Sequence, residues 1–116
     1  MLTPTDIADY GERHVENWLS TNNFHCHRPP RTTLGQAHHG YANHHSVDLE
    51  ARNADMNMMV HVRTALAPDS SHELTENEQH GLCSRAIMLG YDAWFARVRI
   101  NSNGELLEDI QWTKLV

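Results

Sequence analysis

Apolar residues recur at three- and four-residue steps through Ile7, Gly11, Val15, Trp18 and Leu19, which predicts a helix over Pro4–Thr21 with one buried face flanked by Glu12 and Glu16. Thr3 is placed to cap it, Pro4 suits the first helical position, Asp6 complements the positive end of the dipole, and Asn22-Asn23 ends it. Residues 24–28 form a short mixed stretch closed by Pro29-Pro30, which reads as an edge strand. Over 46–52, Val47, Leu49 and Ala51 alternate with Asp48, Glu50 and Arg52. Over 56–65, Met58, Val60 and Val62 oppose Met59, His61 and Arg63, and with the turn at Asn53-Ala54-Asp55 this predicts an antiparallel hairpin.

Thr75-Glu76-Asn77-Glu78 has the form of a capping box and opens a second helix. Its apolar stripe is Leu82, Cys83, Ala86, Ile87 and Leu89, and Gly90 suits the left-handed residue that follows a helix. Residues 92–101 then alternate Trp94, Ala96, Val98 and Ile100 inward, Asn101-Ser102-Asn103-Gly104 turns the chain, and 105–115 supplies a last strand. The expected architecture is a single α/β domain over 1–116: a mixed sheet in the order αβββαββ with helices packed on it. Between Arg31 and His45 the chain is rich in Gly, His, Thr and Asn without period, which predicts a flexible flap over 31–45.

At 116 residues and 40% hydrophobic content the chain suits one ordinary core. No stretch approaches the roughly 18 apolar residues of a membrane span, and the first residues lack a signal-peptide pattern, so a cytoplasmic protein is expected. Cys26 and Cys83 form no CxxC pair and read as reduced, structural thiols. A formal charge of −6 opposes non-specific attraction to nucleic acid, so any such binding needs a local basic site. The ten histidines make the net charge strongly dependent on pH near and below neutrality.

Three segments resemble one family. Tyr10-Gly11-Glu12-Arg13-His14-Val15-Glu16-Asn17-Trp18-Leu19 looks like an opening Gly-Glu helix, Ser46-Val47-Asp48-Leu49-Glu50-Ala51 like a Gly-Glu-Ile-Asp-Leu-Ile-Ala strand, and Met59-Val60-His61-Val62-Arg63-Thr64 stands where Phe-Val-Glu-Val-Lys-x is found. Together they are similar to the YraN-like group of PD-(D/E)xK nuclease-fold proteins, relatives of the archaeal Holliday junction resolvases. The resemblance spans about Tyr10 to Trp112 and implies a restriction-endonuclease-like fold. The insertion at 31–45 is longer than that pattern.

In such a fold an Asp and a Glu hold magnesium, which polarises a phosphodiester and prepares water, while a Lys positions or deprotonates the nucleophile. Carried over, Asp48 is the metal carboxylate, Glu12 the helix carboxylate, and Gln79 lies near the polar position early in the crossover helix. His61 replaces the expected Glu and Arg63 the expected Lys. Histidine favours zinc, manganese or nickel over magnesium, and arginine stays protonated and cannot act as a base. The resemblance therefore implies a divalent metal (Mg, Mn or Zn) held by Glu12, Asp48 and His61, or a lost metal site, and weak or absent hydrolysis.

The residues themselves leave alternatives open. Asp48, Glu50, His61 and Arg63 also suit the solvated side of a hairpin, paired across strands by charge. Trp18, Trp94 and Trp112 fall on apolar faces and suit a core. Arg28, Arg31, Arg97 and Arg99 are placed to contact phosphates of DNA or RNA, or to stay simply solvated. His25 and His27 share a strand face, and with His38, His39, His44 and His45 of the flap they suit a small metal-binding protein. Strand edges and outward arginines suit a homodimeric assembly module.

Overall fold

The computed structural model describes residues 2–28, 49–70 and 73–116. Asp48, Arg31, the predicted flap at 31–45 and its histidines lie outside the described residues.

Helix α1 spans Pro4–Thr21. The Thr3 hydroxyl accepts from the Asp6 amide at 3.1 Å, and the Asp6 carboxylate accepts from the Thr3 amide at 3.0 Å, so two otherwise unpartnered donors are satisfied. Asn22 caps the other end, and Asn23 turns the chain through a left-handed φ of 68°. Strand β1 is His25–His27, β2 is Leu49–Arg52 and β3 is Asn57–Leu66. The β2–β3 turn is fixed by the Asn53 side chain, whose Oδ1 accepts from the Asp55 and Met56 amides at 2.9 and 2.8 Å.

Helix α2, Glu76–Leu89, carries a capping box between Thr75 and Glu78 and stops at Gly90, whose φ is 75°. Strands β4, Asp92–Ile100, and β5, Gln111–Lys114, follow. The sheet order is β1-β2-β3-β4-β5. β3 and β4 run parallel through the α2 crossover, and the other pairs are antiparallel. This is the mixed α+β architecture expected from the pattern.

Helix α1 covers one face of the sheet. Val15 and Leu19 pack there with Leu49, Ala51, Met58, Val60, Ala96, Val98 and Ile100. Gly11 allows the close approach, because a Cβ at this position would collide with the Thr64 side chain of β3. On the other face α2 lays Leu82 and Ala86 against Met59 and Ala93.

The structure corrects several expectations, some of them through this second core. Met59, which the alternation placed on the polar side with His61, is fully buried, because a crossover helix covers its face as well. Ala93 of β4 is buried for the same reason, and Phe95 is buried beside the His61 ring. Ile87 and Leu89, expected in the apolar stripe of α2, are exposed beside Met88, since the helix buries only Leu82 and Ala86. Trp18 is 41% exposed; its ring lies tilted against that of Trp112, with centroids 4.9 Å apart, at the rim of the α1 core. The last strand is shorter than 105–115, spanning Gln111–Lys114, and before it the Asn101 side chain accepts from the Asn103 and Glu105 amides and fixes the turn. No helix among the described residues is long and apolar enough to cross a membrane.

Candidate nucleic-acid interface

Strand register sorts the side chains on the α2 face into rows. Met59 lies opposite Ala93, His61 opposite Phe95, and Arg63 opposite Arg97. Across the next ladder Phe95 faces Thr113 and Arg97 faces Gln111. Because residues two apart on a strand share a face, Arg99 continues the same column. The face thus passes from an apolar row under α2, through a His61–Phe95 stack with ring centroids 6.0 Å apart, to three arginines at the end of the parallel pair.

Each arginine is held by acceptors. One Arg63 nitrogen, Nη2, donates to both Glu78 oxygens at 2.9 and 2.8 Å. Glu78 also accepts from the Thr75 amide at 3.0 Å. Burial raises the Glu78 pKa, but the Thr75 amide, Arg63, the Thr75 hydroxyl and His61 together outweigh it and hold the carboxyl below its ordinary value. Arg97 meets Glu73 at 2.8 Å, and Arg99 meets Glu108 at 3.3 Å and the Asp69 and Pro68 carbonyls at 3.1 and 3.2 Å. A cavity of about 240 Å³ opens beside these two, lined by Ser70, Arg97, Arg99, Glu108, Asp109 and Gln111 among others.

The opposite side is acidic. Asp9, Glu12 and Glu16 of α1 converge on Arg28, at 3.1, 3.3 and 2.7 Å, with Glu12 itself only 4% exposed. Hydrogen bonding to Glu16 above all, with Asp9 and Glu12 assisting against the effect of burial, raises the Arg28 pKa above its ordinary value. Cys26 and Cys83 are free thiols that pack beside the two different cores, and burial pushes the pKa of both up.

The structure therefore divides the expected cluster. Glu50, His61 and Arg63 belong to the α2 face, since Glu50 pairs with Met59 in register, whereas Glu12 belongs to α1 on the other side. Gln79 is exposed on α2, and Arg28 is engaged by carboxylates. His25 and His27 are both exposed on β1. No three His, Cys, Asp or Glu among the described residues are grouped to hold a metal ion. With Glu12 and His61 on opposite faces, and a guanidinium already against Glu12, the described donors do not fit the expected metal centre.

Glu78, Glu73, Glu108, Ser70 and Gln111 were not expected from the sequence as site residues. For Glu78 a signal existed: the capping box fixes it at the start of α2, which a crossover helix brings to the end of β3. The other four are set by loop geometry and strand register.

Neither a scan of protein-family models nor a search of curated proteins finds a match. Among solved structures, the chain is similar to Archaeoglobus fulgidus Hjc, a Holliday junction resolvase from an archaeal hyperthermophile. The TM-score is 0.67, with 93% of this chain and 72% of that chain covered at 15% identity. At this identity the likeness concerns the fold alone, and the fold is restriction-endonuclease-like.

Proposed function

We propose that this is a nuclease-fold protein that binds DNA or RNA and hydrolyses it weakly or not at all. The observation that carries the reading is the Arg63–Glu78 pair. The position where the resembled family keeps a lysine for chemistry holds a guanidinium locked to a helix-capping carboxylate, which serves structure and leaves no base. The Glu12–Arg28 contact supports the same conclusion, because it sets a fixed positive charge where a cation would bind.

Plasmid and branched DNA incubated with magnesium or manganese should show background cleavage, unchanged in Asp48→Ala. Binding of a labelled duplex should be measurable and should weaken as salt rises. Robust magnesium-dependent turnover lost in Asp48→Ala would overturn the proposal.

A second reading, a homodimeric assembly module, is favoured by the exposed end of α2, where Met88 is 84% exposed between Ile87 and Leu89. Sedimentation equilibrium of the protein and its Met88→Glu variant separates the two, since only the dimer reading predicts a mass that falls on substitution.

A further inference from the structure

We propose that Arg97 and Arg99, with Ser70 and Gln111, form a phosphate-binding site for a nucleic-acid backbone, and that Glu73 and Glu108 occupy it as internal stand-ins for the phosphates. The proposal rests on the binding function argued above and assigns that function to one end of one sheet face.

Position is the first argument. Arg63, Arg97 and Arg99 stand on adjacent strands of the same face, about 4.8 Å apart between strands and about 6.7 Å apart along one. The chain has nine Lys and Arg against fifteen Asp and Glu, so three arginines on one end of one sheet face are a concentration of cations, each balanced by a carboxylate of its own. The acidic α1 side, where Arg28 is surrounded by three carboxylates, offers no comparable surface.

The second argument is the inequality of the three pairs. Arg63 is tied to Glu78, whose side chain is 25% exposed and also caps α2, so this pair belongs to the scaffold. The Glu73 side chain is 77% exposed and that of Glu108 is 44% exposed with its contact at 3.3 Å. Such exposed pairs contribute little and exchange readily with solvent. A phosphodiester offers two oxygens to each guanidinium and forms stronger, bidentate contacts.

The third argument is the cavity. The same hollow that presents both arginines is lined by Ser70 and Gln111, whose hydroxyl and amide are donor types that commonly meet phosphate oxygens. Glu108 and Asp109 line it too, on the segment between β4 and β5. An anion entering would displace the Glu108 carboxylate from Arg99 and not an apolar wall. The acidic segment thereby restrains binding by a chain that carries excess negative charge.

The test compares the parent, Arg97→Gln with Arg99→Gln, and Glu73→Gln with Glu108→Gln, by fluorescence anisotropy with a labelled 20-mer duplex across a salt series. The arginine variant should bind about tenfold more weakly or worse. Loss of two phosphate contacts should also reduce the slope of log affinity against log salt by about 1.8. The glutamate variant should bind roughly two- to fivefold more tightly, as removal of two exposed competing pairs implies. Thermal melts identify any variant that fails to fold, and NMR of the arginine Nε–H signals of the parent during titration with inorganic phosphate reads the site without substitution.

If the parent binds duplex and the folded arginine variant binds equally well with the same salt slope, the site assignment is overturned and the binding function stands. Failure of the parent to bind nucleic acid would overturn the binding function. In that case unshifted Arg97 and Arg99 signals with phosphate overturn the anion site as well, whereas shifted signals sustain it.

Discussion

Under α1 the sheet presents Val60, Ala96, Val98 and Ile100 to Val15 and Leu19 in one large cluster; under α2 the cluster is small, Met59 and Ala93 against Leu82 and Ala86, with Phe95 and Ala65 buried beyond it on the same face. The two helices differ in what they bring. α1 buries Gly11, Glu12, Val15 and Leu19 along 18 residues, while α2 buries Leu82 and Ala86 along 14. Where apolar cover stops, the sheet carries His61 and then three arginines. One face is thus given to stability, and the other ends in arginines paired with carboxylates.

The largest expected effect lies at the centre of the α1 face. Leu19→Ala should cost about 2–5 kcal/mol, as truncation of a fully buried leucine does. Ile87→Ala on α2 should change stability by no more than about 0.5 kcal/mol, because its side chain is exposed. Urea denaturation of both variants checks this, and equal losses would break the contrast between the faces.

A smaller effect is expected from Gly11→Ala, which must push α1 away from Thr64 and should cost about 1–3 kcal/mol. The companion Thr64→Ala should recover part of that loss in the double variant, a coupling that a double-mutant cycle measures directly.

A modest effect is expected at the junction of the two regions. Glu78→Gln should cost about 1 kcal/mol at neutral pH by weakening the Arg63 pair and the α2 cap. Because the native Glu78 carboxyl sits below its ordinary value, its contribution is present above the usual glutamate range and is lost as pH falls through the native value. The stability gap between parent and variant should therefore close on acidification. A gap that persists at pH 2 would mean the carboxylate is not its source.

Local chemistry made much of the fold readable. Thr3-Pro4 and Thr75-Glu78 mark helix starts through their caps, and Gly90 marks an end through its left-handed backbone. Alternation could not show that Met59 is buried, since a strand covered by a crossover helix and one facing water can share the same pattern. Nor could it place Glu12 and His61 on opposite sides, because that depends on which face each helix takes. The Arg63–Glu78 contact joins residues fifteen positions apart in different elements and is a product of packing. The expected fold is the observed one; the expected site became two groups, with Asp48 outside the described residues.

The lengths of the strands bear on solubility. Among the described residues, the long strands β3 and β4 are interior, each hydrogen-bonded on both sides, while the outer positions fall to β1 with three residues and β5 with four. Unpaired backbone groups at a sheet margin are a template for recruiting foreign chains into fibrils, and brief margins interspersed with polar side chains are a poor one. His25, His27 and Lys114 lie on these margins, so an incoming strand would meet polar side chains at both edges and no continuous apolar surface.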